Sequence, residues 1–474
     1  MYFCSLFAAI LMVFFIFPEN GIHIGQVNLH FFDKTTYLDS NLNAEPIELK
    51  NEINLDSIIE REKFLADSIK KVEELIRKKY EDSVLNAEKK IQFPQNDITI
   101  LFPFFKKLEK AKNKKVRVMH YGDSQIEADR ISGRLRERLQ KDFGGLGAGA
   151  YAVIPATRKI SIKNECSSNW IRRTGFGPYI DTIVKHKRYG ALFSFCEIEP
   201  IIIDSALIYE GWIKIGKPTK SYKHCRNYTN FDIFFTNQDT TIFSYLLSDS
   251  IIRVDTIYPS SQIQKKSISF NRAPSYFEIK IKSTSSPLVY GIALEGNNGV
   301  VVDNIPLRGA SGTEFARIDK TSLSEMLTQL SPDLFLLEFG GNAIPYMKSI
   351  ERSARYGNYF KNQIKKLKRI NPKAQVIVIG PADMAKKEST SFITYPVINE
   401  VREALKKAAF ETHSCYWDTY LNMGGEGSIQ DWVKLKPPLA ARDYIHFTNK
   451  GAREVADMFI ADLMECYTFY RHNK

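Results

Sequence analysis

VRVMHYGDSQIEADR, residues Val116–Arg130, decides how this chain is read. Val116 and Val118, with Met119, make a short apolar strand, and Gly122 marks a sharp turn. The stretch IEADRISGRLRERLQ that follows brings Ile126, Ile131, Leu135 and Leu139 back near helical spacing, with charges between them. A serine on a strand-to-helix turn stands clear of the sheet. It also lies near the free N–H groups of the first helical turn, which can hold an anionic oxygen. Ser124 is therefore the candidate nucleophile. The structural alternative is that Asp123 and Ser124 are ordinary helix caps, and only the rest of the chain can decide between them.

Working outward, a helix is expected through Leu101–Lys112 before the strand, and FGGLGAG (Phe143–Gly149) lies after the second helix. That glycine-rich loop lacks the Lys-Ser/Thr of a phosphate-binding loop and follows no strand, so it is not read as a nucleotide site. From about 151 to 296 helical periodicity nearly vanishes. Short alternating runs replace it: FDIFF (231–235), TTIFSYLL (240–247), SIIRVDTIY (250–258), KSISF (266–270), YFEIKIK (276–282) and LVYGIALEG (288–296), punctuated by turn residues. That is the rhythm of an antiparallel sandwich. Its aromatics, such as Trp170, Tyr179, Tyr209 and Trp212, would serve to stack on sugars or to fill a core, and a core is the simpler use.

After 300 strands and helices alternate again: a strand into RGASG, a helix to Leu330, DLFLLEF (333–339), a helix through Arg352–Ile370 stopped by Pro372, and QVIVIG (375–380). A helix near Val397–Thr412, the strand SCYWD (414–418), a loop and a final helix from Asn449 complete the chain. Strands separated by helices imply a parallel sheet covered on both faces. The expected architecture is thus one α/β domain, 98–150 and 297–474, with an all-β insertion over 151–296.

Residues 1–17, MYFCSLFAAILMVFFIF, carry no charge and no proline. The run is short for a membrane span and suits a signal-peptide core or an N-terminal anchor, so export to the periplasm or cell envelope is expected. Residues 18–96 read as a linker containing a charged amphipathic helix from Leu55, LDSIIEREKFLADSIKKVEELIRKKYEDSVLNAEKK, which serves as a spacer, a self-association stalk or a solvated helix. With 474 residues, 44% hydrophobic and 25% charged, the chain is long enough for several cores. The net charge of +12 suits acidic surroundings such as cell-wall polymer or an anionic membrane surface. Nucleic acid is not expected as a partner, for want of a zinc-finger spacing, an RNP-like motif or a basic arm. The six cysteines, Cys4, Cys166, Cys196, Cys225, Cys415 and Cys466, form no CxxC or Cys/His cluster, so no metal is expected. One disulfide within 166–225 would need an oxidising compartment, and buried free thiols are the simpler reading.

An activated serine needs a base, a group to orient that base, and donors for the oxyanion. Of the eight histidines, His446 in RDYIHFTNKGA has the best setting, on a tight loop three residues after Asp443. A carboxylate at that spacing can reach the imidazole and fix its tautomer. His120, close to Ser124 in sequence, reads as a packed strand neighbour.

Taken together these stretches resemble the SGNH (GDSL-type) hydrolase superfamily over roughly 98–150 and 297–474. HYGDSQ (120–125) matches the nucleophile block, RGASGT (308–313) the glycine block, FGGN (339–342) the asparagine block and DYIH (443–446) the last block, in the family's order. The resemblance implies a flavodoxin-like parallel sheet and a catalytic set of Ser124, Asp443 and His446. It also implies an oxyanion hole from the N–H of Ser124, the N–H of Gly312 and the side chain of Asn342, and no cofactor. Ala343 stands where family members often carry an acid after the asparagine, which leaves the orientation of Asn342 open. An inserted sandwich is similar in arrangement to that of peptidoglycan O-acetylesterases and would bind carbohydrate. The expected activity is removal of O-acetyl groups from a cell-envelope polysaccharide such as peptidoglycan. The alternatives are an O-acetyltransferase using the same residues and a non-catalytic polysaccharide-binding scaffold.

Overall fold

The computed structural model describes residues 22–24, 27–29, 62–72 and 87–474, except 178–179 and 204–205. The chain divides into two compact units, Met1–Lys79 and Tyr80–Lys474. In the first, Ile22–Ile24 and Val27–Leu29 pair antiparallel, and residues 62–72 are helical. That helix exposes Phe64, Leu65, Ile69 and Val72. The apolar run 1–17 and the rest of the charged stretch up to Asn86 lie outside the described residues.

The second unit is built on five parallel strands: β1 (Lys115–Gly122), β2 (Gly299–Pro306), β3 (Leu334–Glu338), β4 (Gln375–Ile379) and β5 (Cys415–Trp417), in the spatial order β2-β1-β3-β4-β5. This is the flavodoxin-like order, with its switch point between β1 and β3. Side chains alternate across the sheet. Val116 and Val118 join Leu336 and Ile377 on one face, where Leu135, Val455 and Phe459 cover them. Met119 and Tyr121 join Phe335, Leu337 and Val378 on the other, against Leu327, Phe360, Ile364 and Leu405. Both faces are therefore dry, which is why these strands read as near-continuous apolar runs.

Between the helix Arg130–Phe143 and β2 the chain builds two six-stranded antiparallel sheets packed around their own core of Phe231, Ile233, Phe243, Phe277, Ile279 and Ile292. The first inserted strand, Gly149–Tyr151, pairs with the last, Leu288–Glu295, so the entry and exit of the insertion are zipped together. The fold is thus α/β with an inserted β domain. Most aromatics of the insertion, including Trp170, Tyr228 and Phe235, are core. Cys166, Cys196, Cys225, Cys415 and Cys466 are free, so no disulfide forms within 166–225. Among the described residues no helix is long and apolar enough to cross a membrane.

Two local features depart from the sequence-based expectation. The helix expected directly after Ser124 starts only at Arg130, because Ser124–Asp129 form a tight 3-10 segment broken by left-handed Ala128 and Asp129. Asp129 is turned inward by Arg136, whose Nη1 and Nη2 donate to it at 2.5 and 3.1 Å. The loop after β4 also carries an antiparallel hairpin, Ala385–Glu388 with Ser391–Thr394, which the periodicity did not disclose.

Candidate active site

The C-terminal ends of β1, β3 and β4 open into a cleft of about 390 Å³, where an open α/β sheet binds ligands. Ser124 follows β1, Asn342 follows β3, and His446 reaches in from the loop before the last helix. Ser124 Oγ lies 2.9 Å from His446 Nε2. On the far side of the ring, His446 Nδ1 is 2.7 Å from Asp443 Oδ2. Asp443 Oδ1 accepts from the backbone N–H groups of Ile445 and His446, both at 3.0 Å. One carboxylate therefore both closes the turn and orients the imidazole. Burial works against the Asp443 anion, but the His446 N–H, the imidazole and the Ile445 N–H outweigh it and hold this carboxyl below its ordinary range. With Asp443 ionised, Nδ1 carries the proton and Nε2 is left to accept from the Ser124 hydroxyl.

Asn342, whose orientation Ala343 left open, is held by Nδ2 donating to Asp123 Oδ2 and to the carbonyl of Ala310, both at 3.1 Å. Asp123 in turn caps the nucleophile turn by accepting from Gln125 N–H at 2.9 Å. Its carboxyl is pushed up to about 7, chiefly by burial, with the charges of Glu338 and Glu127 adding to it. The two glycines of the glycine block have different surroundings. Gly309 lines the cleft and Gly312 does not. Gly312 is buried at φ +83, and a Cβ there would fall 2.4 Å from Phe360 and 2.8 Å from Phe339. Its lack of a side chain serves packing, whereas Gly309, also left-handed at φ +76, is the exposed member of the loop.

His120 is fully buried, its ring bonded to Glu338 Oε2 at 3.0 Å and to Ser132 Oγ at 2.9 Å, away from Ser124. Glu338 is a site residue that spacing did not single out, although a lone acid closing the apolar run DLFLLEF is the signal that marks it. Opposite it, Arg308 on the cleft wall donates its Nε to Glu127 at 2.6 Å. Among the described residues no cluster of His, Cys, Asp and Glu is arranged to hold a metal ion.

Residues 284–454 match the GDSL-like lipase/acylhydrolase family. The match spans the glycine, asparagine and histidine blocks, while Ser124 lies on the other side of the insertion. A solved structure of a peptidoglycan O-acetylesterase in action is similar at a TM-score of 0.61 and 17% identity, over 78% of this chain and 96% of that one. A family two carbohydrate esterase from Cellvibrio japonicus aligns at a TM-score of only 0.25 and 10% identity, over 65% of this chain and 99% of that one. No curated protein matches the chain.

Proposed function

We propose that this chain, whose residues 284–454 match the GDSL-like lipase/acylhydrolase family and whose fold is similar to that of a peptidoglycan O-acetylesterase, is a serine esterase that removes O-acetyl groups from a cell-envelope polysaccharide such as peptidoglycan. The observation that carries the reading is the unbroken chain Ser124 Oγ, His446 and Asp443, with links of 2.9 and 2.7 Å, opening on a cleft. In this mechanism Ser124 Oγ attacks the ester carbonyl as His446 Nε2 takes its proton. Asp443 stabilises the resulting imidazolium. The carbonyl oxygen, now anionic, is received by the N–H of Ser124, the N–H of Gly309 and one N–H of Asn342 Nδ2, which turns from the Ala310 carbonyl to the substrate while the other stays on Asp123. Collapse expels the sugar alkoxide, which His446 protonates. Water, deprotonated by the same nitrogen, then releases acetate and restores Ser124 Oγ–H.

The acceptor of the acyl group separates an esterase from an O-acetyltransferase, and nothing in the cleft favours a sugar hydroxyl over water. Envelope localisation rests on the uncharged apolar run 1–17. The test is hydrolysis of a chromogenic acetyl ester and of acetylated envelope glycan by the full chain, beside Ser124→Ala. Acetate release by the wild type and not by the folded variant is expected. Undiminished release by Ser124→Ala would sink the assignment, and an acetylated oligosaccharide in place of acetate would make the protein a transferase.

A further inference from the structure

Ser124 and His446 come from segments 322 residues apart, and two side chains with no part in the proposed chemistry tie these segments together. Gln125 Nε2 donates to the carbonyl of Ile445 at 2.6 Å, and Gln125 Oε1 accepts from the N–H of Phe447 at 3.2 Å. One primary amide thus brackets His446 on both sides, as a neighbouring strand would. Arg130 completes the tie. Its Nη1 donates to the carbonyl of Phe447 at 2.5 Å, and its Nη2 to the carbonyls of Ser124 and Gln125 at 3.2 and 3.1 Å. Its Nε donates to the carbonyl of Glu127 at 3.1 Å.

A guanidinium turned onto four backbone carbonyls costs desolvation, and burial lowers its pKa against the opposing charges of Glu127, Glu338 and Asp443. Packing alone would be served by an apolar side chain. The planar fork, with donors in fixed directions, suits holding several backbone groups at once. The late start of the helix serves the same end. The left-handed break at Ala128 and Asp129 sets Arg130 at the first helical position, under the turn that carries Ser124.

We propose that Gln125 and Arg130 are positioning residues, a clamp that sets the Ser124 Oγ to His446 Nε2 separation by fixing the His446 loop onto the nucleophile turn. The inference rests on Ser124 being the nucleophile. Because a 1 Å misplacement can cost about a hundredfold in rate, the clamp acts on turnover rather than on substrate binding.

The experiment uses the full chain and the variants Gln125→Ala, Arg130→Lys and Arg130→Met. Three quantities are read for each: kcat and KM on an acetyl ester, the rate at which a fluorophosphonate labels Ser124, and thermal unfolding. The phosphonate reports Ser–His reactivity without depending on ester recognition. The expected result is a fall of about 10- to 100-fold in both kcat and labelling rate, with KM within about threefold of wild type and at temperatures well below unfolding. Arg130→Lys should resemble Arg130→Met, since an ammonium cannot span the same carbonyls. If Arg130→Met does not fold, Gln125→Ala decides alone. Wild-type labelling rates in folded variants, or losses that merely track the unfolded fraction, would overturn the clamp. A wild-type protein that is neither labelled nor hydrolytic would instead remove Ser124 as nucleophile, an outcome visible before any variant is made.

Discussion

Phe392 lies flat on Tyr444, with ring centroids 3.8 Å apart and planes 17° apart. Tyr444 is the left-handed residue, φ +58, between Asp443 and Ile445, and its carbonyl accepts from Ala385 N–H at 3.0 Å. The hairpin after β4 therefore braces the Asp443–His446 turn as well. Removing the ring by Phe392→Ala forfeits a stack worth about 0.5–1.5 kcal/mol beyond burial. The expected outcome is a modest drop in melting temperature and a larger drop in kcat. Equal turnover per folded molecule in variant and wild type would show that the hairpin does not support the loop.

The glycine and asparagine blocks can be separated by where their substitutions act. Asn342→Ala should lower kcat by roughly 10²–10³, the usual loss for one oxyanion donor, beyond a stability loss of about 1–3 kcal/mol from the Asp123 and Ala310 acceptors it leaves unpaired. Gly312→Ala should act on stability alone. A Cβ 2.4 Å from Phe360, on left-handed backbone, forces the surrounding core apart, and such overpacking costs about 1–3 kcal/mol. Turnover per folded molecule is expected to survive. Steady-state kinetics and urea unfolding of the two variants check both expectations, and an unchanged kcat in folded Asn342→Ala would remove that side chain as an oxyanion donor.

Asp123 gives the stability of the protein a pH dependence of definite sign. Its carboxyl sits at about 7 in the fold against an ordinary 3.8, with burial as the main cause. Between those values the native protein keeps a proton that the unfolded chain has released, so this group's contribution to stability falls as pH rises from about 4 to about 7 and stays low above that. Asp123→Asn removes the group. The variant should therefore gain on wild type by on the order of 3–4 kcal/mol between pH 4 and pH 8, measured as the difference in unfolding free energy. A difference that is flat with pH would show that the carboxyl is ionised throughout.

The junction between sheet and insertion depends on Arg117. Its Nη1 donates to both oxygens of Asp303 on β2, at 2.8 and 2.9 Å, and its Nη2 pairs with Glu295, which ends the last inserted strand. Asp303 also accepts from Ala150 N–H, in the first inserted strand, at 2.7 Å. Arg117→Met leaves buried Asp303 without its cation and Glu295 with Lys115 alone, a loss of about 3–5 kcal/mol. Limited proteolysis should then cut first at the ends of the insertion, near 149 and 295. Cleavage spread evenly over the chain would argue against a local role.

The α/β order, the inserted β region and the candidate nucleophile were legible because they are carried by local patterns. Alternation in Val116–Tyr121, the apolar run of DLFLLEF and the break in helical periodicity after 150 each reflect which faces are buried, and burial writes itself directly into residue type. The Asp443–His446 pair was legible for the same reason, since three residues on one turn settle its geometry. What only the tertiary structure decided is what depends on segments meeting across the sheet. The different surroundings of Gly309 and Gly312 follow from which of two left-handed glycines packs against Phe339 and Phe360. The late start of the helix follows from Asp129 finding Arg136, and the grip of Gln125 and Arg130 on the His446 loop spans more than three hundred residues. Such contacts are made largely to backbone atoms, which every residue possesses, so no pattern of side chains in the sequence could announce them.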